Sequence, residues 1–70
     1  MAEPEMDTFS AAMIADGEFD LTPFEESEEN YILAYQTLID SGVAWSLQGR
    51  IGRTAHALIQ QGLCKEGVTA

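Results

Sequence analysis

The sequence predicts an all-α fold: a small three-helix unit (long helix, short helix, glycine turn, helix) with a flexible acidic N-terminal arm. Three observations support this prediction. Apolar residues from Tyr31 onward recur at spacings of three and four, which is the helical period. Gly42 and Gly62 stand where helices would end, since glycine readily adopts a left-handed C-cap conformation. No segment shows the alternation of apolar and polar residues that is typical of a strand.

The first 21 residues are predicted to form an acidic arm that is disordered or only loosely helical. A short helix over Asp7–Ala15 could be capped by Asp7, with Phe9, Met13 and Ile14 on one face. Because a helix of two turns is not stable alone in water, we expect this arm to be disordered or loosely docked.

The long helix is predicted to begin at Thr22. In the segment Thr22-Pro23-Phe24-Glu25, a capping residue precedes proline at the first helical position and glutamate at the third, which is typical of a capping box. The helix is predicted to end at Gly42, with Val43 folding back onto Leu38 in a Schellman-type stop.

The second half of the chain predicts two further helices. The first is at most two turns long and covers residues 43–49. A tight turn over residues 49–52 follows it, and the last helix runs from Arg53 or Thr54 to Gln61, with the same kind of glycine stop after it.

The helical domain is therefore predicted to span residues 22–64, and residues 65–70 are predicted to fray. A chain of 70 residues has room for a small core only, so self-association is a reasonable expectation. The apolar positions of the helices predict a core made of Tyr35, Leu38, Ile39, Val43, Trp45, Leu47, Ile51, Leu58, Ile59 and Leu63.

The formal net charge is −9, and the charges are unevenly distributed along the chain. Residues 1–40 contain eleven of the twelve acidic residues and no lysine or arginine, while Arg50, Arg53 and Lys65 all follow them. So acidic a chain repels phosphate backbones and anionic lipids, which argues against nonspecific nucleic-acid binding and against membrane association.

The sequence contains no pattern typical of an enzyme, and we expect neither catalysis nor a cofactor. The single cysteine, Cys64, cannot form an internal disulfide, and no Cys/His spacing is typical of a metal site. His56 and Cys64 could form a nucleophilic pair, but the stop at Gly62 separates them. No apolar run is long enough to cross a bilayer and no basic signal-peptide start is present, so we expect a cytosolic protein.

Four glutamates are candidate partner-binding residues: Glu25, Glu26, Glu28 and Glu29. Closely spaced carboxylates can imitate a phosphate backbone and occupy the basic groove of a nucleic-acid-binding protein. Two simpler interpretations remain open, since acidic residues improve solubility and favour a helix start through the helix dipole. A cation site is less favoured, because the alternating oxygen ligands and glycine of a calcium loop are missing.

Arg50, Arg53 and His56 are candidate partner-binding residues of the opposite kind. The segment over residues 49–54 resembles an anion-binding turn, although a purely structural turn explains it as well. The order of short helix, turn and helix also imitates a helix-turn-helix, which leaves open a nucleic-acid-binding protein or adaptor as the alternative function.

The segments LIDSGVAWSLQG at 38–49, GRTA at 52–55 and LIQQGLC at 58–64 resemble a family of small uncharacterised proteins encoded by bacteriophages and related mobile elements. The resemblance covers less than half of the chain and transfers no functional residue. It implies a phage accessory protein in the bacterial host cytoplasm. The function expected from the sequence is therefore to bind and modulate a host or phage protein.

Overall fold

A computed structural model of the chain describes residues 5–47 and 49–66. Those residues form three α-helices and two short 3-10 turns, without a strand, which confirms the predicted small all-α unit of three helices, although the first of them lies in the predicted arm. In chain order the elements are α1 (Thr8–Ala15), the first 3-10 turn (Phe19–Leu21), α2 (Glu28–Ser41), the second 3-10 turn (Val43–Trp45) and α3 (Gly49–Gln60).

α1 lies within the segment that the sequence assigned to a disordered or loosely docked arm. The carboxylate of Asp7 caps it by accepting a hydrogen bond from the Ser10 N–H at 2.7 Å, and this bond lowers the pKa of Asp7. Ala11 and Ile14 are fully buried against the rest of the core. The short helix that the sequence allowed here and its cap at Asp7 are therefore confirmed. The burial of Ala11 and Ile14 corrects the expectation that this helix is disordered or loosely docked, and residues 1–4 lie outside the described part of the chain.

The predicted start of the long helix at Thr22 is also wrong. The Thr22 hydroxyl donates to the Phe19 carbonyl at 3.0 Å and accepts from the Phe24 N–H at 3.3 Å, so it stabilises a local turn instead of capping a helix. Phe19 and Phe24 are consequently both able to pack, half-buried, against the core.

Ser27 is the residue that caps α2. Its hydroxyl accepts a hydrogen bond from the Asn30 N–H at 3.1 Å, while the Asn30 side-chain amide donates to the Glu25 carbonyl at 2.9 Å. Glu28 and Glu29 then occupy the first turn, where the positive end of the helix dipole favours negative charge.

Both predicted glycine stops are confirmed. Gly42 has φ 80° and Gly62 has φ 81°, the left-handed region in which a side chain is strained. At Gly62 the two bonds of a Schellman motif form: the Leu63 N–H donates to the Leu58 carbonyl at 2.9 Å, and the Gly62 N–H donates to the Ile59 carbonyl at 3.1 Å.

The stop at Gly42 is less complete than predicted. The Gly42 N–H donates to the Ile39 carbonyl at 3.1 Å, but the Val43 N–H donates to the Ser41 hydroxyl at 3.3 Å. The Ser41 hydroxyl in turn donates to the Leu38 carbonyl at 3.1 Å, so a side chain takes the place of the second backbone bond.

The short helix predicted over residues 43–49 is reduced to a 3-10 turn, and the predicted turn over residues 49–52 belongs to α3. Neither Gly49 nor Gly52 has a positive φ, so both fit a helix. At Gly52 a Cβ would make only an ordinary contact, 3.6 Å from the Ala44 carbonyl oxygen, so this helical position does not require glycine.

The core partly matches the prediction. Tyr35, Leu38, Ile39, Ile51 and Leu58 are buried as expected, and Val43, Leu47 and Ile59 are half-buried. The exposed fractions of Trp45 and Leu63 are 54% and 43%, so these two residues are not core. Ala55, which was predicted to face inward from the last helix, is buried, and the buried residues that the prediction lacked are Ala11, Ile14, Ala34, Ala44 and Cys64.

Residues 65 and 66 follow α3 without regular structure and are exposed, whereas the remainder of the predicted frayed tail, residues 67–70, lies outside the described part of the chain. The Lys65 N–H donates to the Gln36 side-chain carbonyl at 2.7 Å, and the Gln36 amide donates to the Lys65 carbonyl at 3.0 Å. These bonds hold the start of the tail against α2.

Candidate functional site

The four candidate glutamates surround the start of α2. Glu25 and Glu26 lie in the bend before the helix, and Glu28 and Glu29 are its first two residues. All four are exposed. Capping by Ser27 fixes the position of the helix start, and this places the four carboxylates around one helix terminus.

A groove of about 400 Å³ lies between the end of α1 and the start of α2. Ile14 and the half-buried rings of Phe19 and Tyr31 give it an apolar lining, while Glu26 and Glu28 add carboxylates. Its remaining lining residues are Gly17 and Ser27. Sequence reasoning missed this groove. The groove lies between α1, which was predicted to be loosely held, and the start of α2, whose cap was predicted at Thr22 instead of Ser27.

Tyr31 connects the groove to the core. Its ring meets that of Tyr35 edge to face, with the centroids 4.9 Å apart, an arrangement favoured by the charge distribution of aromatic rings. Burial, aided by the neighbouring Tyr31 hydroxyl, raises the pKa of Tyr35 to about 12. The pair of rings therefore joins the groove lining to the buried core.

The basic candidates lie on α3. Arg50, Arg53 and His56 are all exposed, and they are spaced three residues apart on this helix. The Arg50 guanidinium donates to the Asp16 carboxylate at 2.8 Å, which ties the start of α3 to the end of α1. This pair is well exposed, so its contribution to stability is small.

The two sets of candidates are thus held by different elements, and the structure does not join them. Among the described residues, the ion pair present connects Arg50 with Asp16 and not with any of the four glutamates. The His56 Nε2 atom lies 2.9 Å from Nε2 of Gln60, one helical turn further along the same helix. The four glutamates therefore keep their charges available to an external partner.

A second hollow, of about 220 Å³, lies next to this ion pair. It is lined by Ala12, Met13, Asp16, Leu47 and Ile51, from α1, α3 and the segment before α3. Asp16 already accepts a hydrogen bond from Arg50. The hollow therefore presents mainly apolar atoms and one charged side chain, Asp16, which forms an ion pair with Arg50.

Cys64 is buried, and its thiol donates to the Ile32 carbonyl with an Sγ–O distance of 3.6 Å. Burial, together with the negative charge of Asp40, raises the pKa of the thiol above its ordinary value. The thiol is consequently protonated at neutral pH, which is the form with low nucleophilicity.

Across residues 5–47 and 49–66, no group of three or more His, Cys, Asp or Glu side chains is arranged to hold a metal ion. Within that part of the chain, none of the helices combines the length and the apolar character needed to span a bilayer.

Comparisons with known proteins give one result. Neither a curated protein nor a solved structure matches the chain. One family model does match, and it covers residues 11–70, which includes most of α1, the groove and all of the helices after it. The chain therefore belongs to the DUF7417 family, a domain of unknown function.

Proposed function

We propose that this protein is a bacteriophage accessory protein that acts in the bacterial cytoplasm, where it binds and modulates a host or phage protein. The observation that carries the proposal is the exposure of Glu25, Glu26, Glu28 and Glu29 around the start of α2. In this proposal they act as an acidic surface that a nucleic-acid-binding protein accepts in place of phosphates, so that the small protein inhibits its target.

Two features of the molecule support a binding role for this surface. The four carboxylates have no basic neighbour in sequence, because the nearest arginine in the chain is Arg50. Their helix start is capped by Ser27, and a preorganised surface loses less entropy when it binds a partner. Long-range attraction by such a surface also accelerates association with a basic partner.

The phage setting is supported by the likeness of residues 38–64 to small proteins of bacteriophages and mobile elements. That segment contains the second 3-10 turn, α3 and both glycine stops, so it corresponds to a structural unit. It excludes the four glutamates. The likeness therefore supports the setting, while the charge distribution supports the mode of binding.

The test is affinity capture from a bacterial lysate, followed by mass spectrometry. The wild-type chain is compared with a variant in which Glu25, Glu26, Glu28 and Glu29 are all replaced by glutamine. We expect the wild type to enrich a nucleic-acid-binding protein, and we expect the variant to lose that protein because its acidic surface is gone.

A matched control separates this surface from general acidity. The control replaces four other acidic residues: Glu3, Glu5 and Glu66 by glutamine, and Asp40 by asparagine. It removes the same number of negative charges as the first variant. This control is expected to retain the captured protein. Equal capture by all three chains would contradict the proposal and would favour the interpretation that the four glutamates only improve solubility.

The second candidate is a small helix-turn-helix-like nucleic-acid-binding protein or adaptor. The observation that favours it is the exposure of Arg50, Arg53 and His56 on α3, the last helix of the chain. The ion pair between Arg50 and Asp16 weighs against it, because it occupies one of the few cations.

Duplex DNA binding distinguishes the two candidates. The main proposal expects no measurable binding at about 150 mM salt, because the net negative charge repels the phosphate backbone. Tight binding that is lost in the double variant Arg50→Ala, Arg53→Ala would instead support the nucleic-acid-binding candidate. Fluorescence anisotropy with a labelled duplex, repeated at increasing salt, measures this directly.

A further inference from the structure

The groove between α1 and α2 offers an apolar cavity that the fold itself does not fill. Its volume of about 400 Å³ falls within the size range of ligand pockets. Ile14, which is fully buried, is one of its lining residues, and Phe19 and Tyr31 line it as partly exposed aromatic residues. An apolar side chain from a partner would be removed from water here, which is the main source of binding energy in small anchor sites.

The charge around the groove restricts the kind of partner. Residues 18–29 contain six acidic residues and no basic one, and two of the six, Glu26 and Glu28, line the groove. A nucleic acid or an anionic lipid would be repelled. A second copy of the chain would also be repelled, since each copy carries a formal net charge of −9.

We infer that the groove binds a basic segment of a partner protein, in which lysines or arginines flank an apolar anchor side chain. The anchor occupies the cavity over Ile14, Phe19 and Tyr31, while the flanking cations approach Glu26 and Glu28. This inference rests on the proposed function and makes it more specific, because it places the contact in the groove instead of across the whole acidic surface.

The four glutamates provide a matched pair of variants. Glu26 and Glu28 line the groove, whereas Glu25 and Glu29 do not. The double variants Glu26→Gln, Glu28→Gln and Glu25→Gln, Glu29→Gln each remove two charges, one before α2 and one in its first turn. They therefore alter the net charge equally and the helix dipole interaction similarly. Their main difference is their relation to the groove.

The probe is a short synthetic peptide in which lysines and arginines flank one leucine–phenylalanine pair, labelled with fluorescein. A second peptide has the same charges but serines in place of that pair. Binding to the full chain is measured by anisotropy at about 150 mM salt, where exposed charges more than about 8 Å apart are largely screened.

We expect the affinity to depend both on the apolar pair of the peptide and on the glutamates that line the groove. Loss of the leucine–phenylalanine pair should weaken binding by about tenfold or more, since burial of one large apolar side chain has at least that effect. The groove pair of substitutions should weaken binding by about fivefold, and the flanking pair by about twofold or less. When both peptides are titrated against both proteins, the groove substitutions should weaken binding of the serine peptide less than binding of the leucine–phenylalanine peptide.

Several outcomes would overturn the inference. Equal weakening by the two glutamate pairs would mean that the whole acidic field, and not the groove, attracts the peptide. Equal binding of the two peptides would mean that no anchor enters the cavity. Sedimentation showing a dimer that the groove substitutions disrupt would identify a second copy as the occupant.

Failure here is distinguishable from failure of the proposed function. If the peptide shows no groove dependence while the quadruple glutamate variant still loses its captured protein, only the groove assignment is wrong. If capture is independent of all four glutamates, the proposed function itself is wrong, whatever the peptide does.

Discussion

The helices α1 and α3 both contribute fully or nearly fully buried residues to one core, yet only α3 has a sequence pattern that reveals its buried face. In α3 the buried residues Ile51, Ala55 and Leu58 are spaced by four and three, and polar residues occupy the opposite side. In α1 apolar residues occur almost all round the helix. Its buried positions, Ala11 and Ile14, cannot be distinguished from their neighbours by periodicity.

The difference shows what an amphipathic pattern can and cannot predict. A polar face identifies the buried face by exclusion, as it does in α3. In α1 the buried face is determined by packing against α2. Ala11 of α1 and Ala34 of α2 are both fully buried small residues, which allow two helices to approach closely. Phe9, the largest apolar residue of α1, is left 72% exposed.

The largest expected effect tests whether α1 belongs to the core as fully as α3 does. Ile14→Ala in α1 and Ile51→Ala in α3 are expected to lower the free energy of unfolding by similar amounts, about 2–4 kcal/mol each, because both remove a buried side chain and leave a cavity. Urea denaturation followed by circular dichroism measures both.

Conservative variants keep this test informative if the alanine variants fail to fold. Ile14→Val and Ile51→Val are expected to cost about 0.5–1.5 kcal/mol each. Phe9→Ala, at an exposed position of α1, is the control and should change little. A large loss for Ile51 with almost none for Ile14 would restore the interpretation of α1 as a loosely docked arm.

The second expected effect concerns the glycines that end helices. Gly42→Val and Gly62→Val should each destabilise the fold by about 1–3 kcal/mol, because a β-branched residue is strained at a φ near 80°. The measurement is the melting temperature, which should fall in both variants. Unchanged melting temperatures would contradict the capping argument.

Gly52 provides the matched control inside α3. A Cβ at this position would make only ordinary contacts, 3.6 Å from the Ala44 carbonyl oxygen and 3.9 Å from Trp45 Cε3. Gly52→Ala is therefore expected to stabilise the helix by up to about 1 kcal/mol, since alanine loses less backbone freedom on folding. Destabilisation would instead favour the turn that the sequence predicted there.

These glycines show why part of the fold was predictable. The stops at Gly42 and Gly62 follow from local backbone chemistry, and the sequence identified both. Gly52 was mistaken for a turn residue, since glycine in a sequence does not reveal whether it is needed for its dihedral angles or is tolerated within a helix. Trp45 and Leu63 are exposed although the sequence pattern predicts them in the core, and apolar residues are common on protein surfaces.

The candidate site was predictable only in part. The exposure of the four glutamates follows from their charge, and the sequence placed them at the start of the long helix. The groove depends on tertiary structure, because it brings Ile14 together with Tyr31, seventeen positions away in the chain. Its position also requires α2 to have Ser27 as its cap, and the capping-box pattern at Thr22 led to the wrong choice.

The smallest expected effect tests that choice. Ser27→Ala should lower the free energy of unfolding by about 1 kcal/mol, because it removes the acceptor for the Asn30 N–H at the start of α2. Thr22→Ala removes the local turn bonds of the Thr22 hydroxyl to Phe19 and Phe24 and no helix cap, so it should cost about half as much or less. Hydrogen exchange of the amides in the first turn of α2 locates the effect, which should appear in the Ser27 variant and be absent in the Thr22 variant. The reverse order would mean that the helix begins at the Thr22 capping box, and in that case Glu26 and Glu28 would occupy different positions on the helix and could not both line the groove as described.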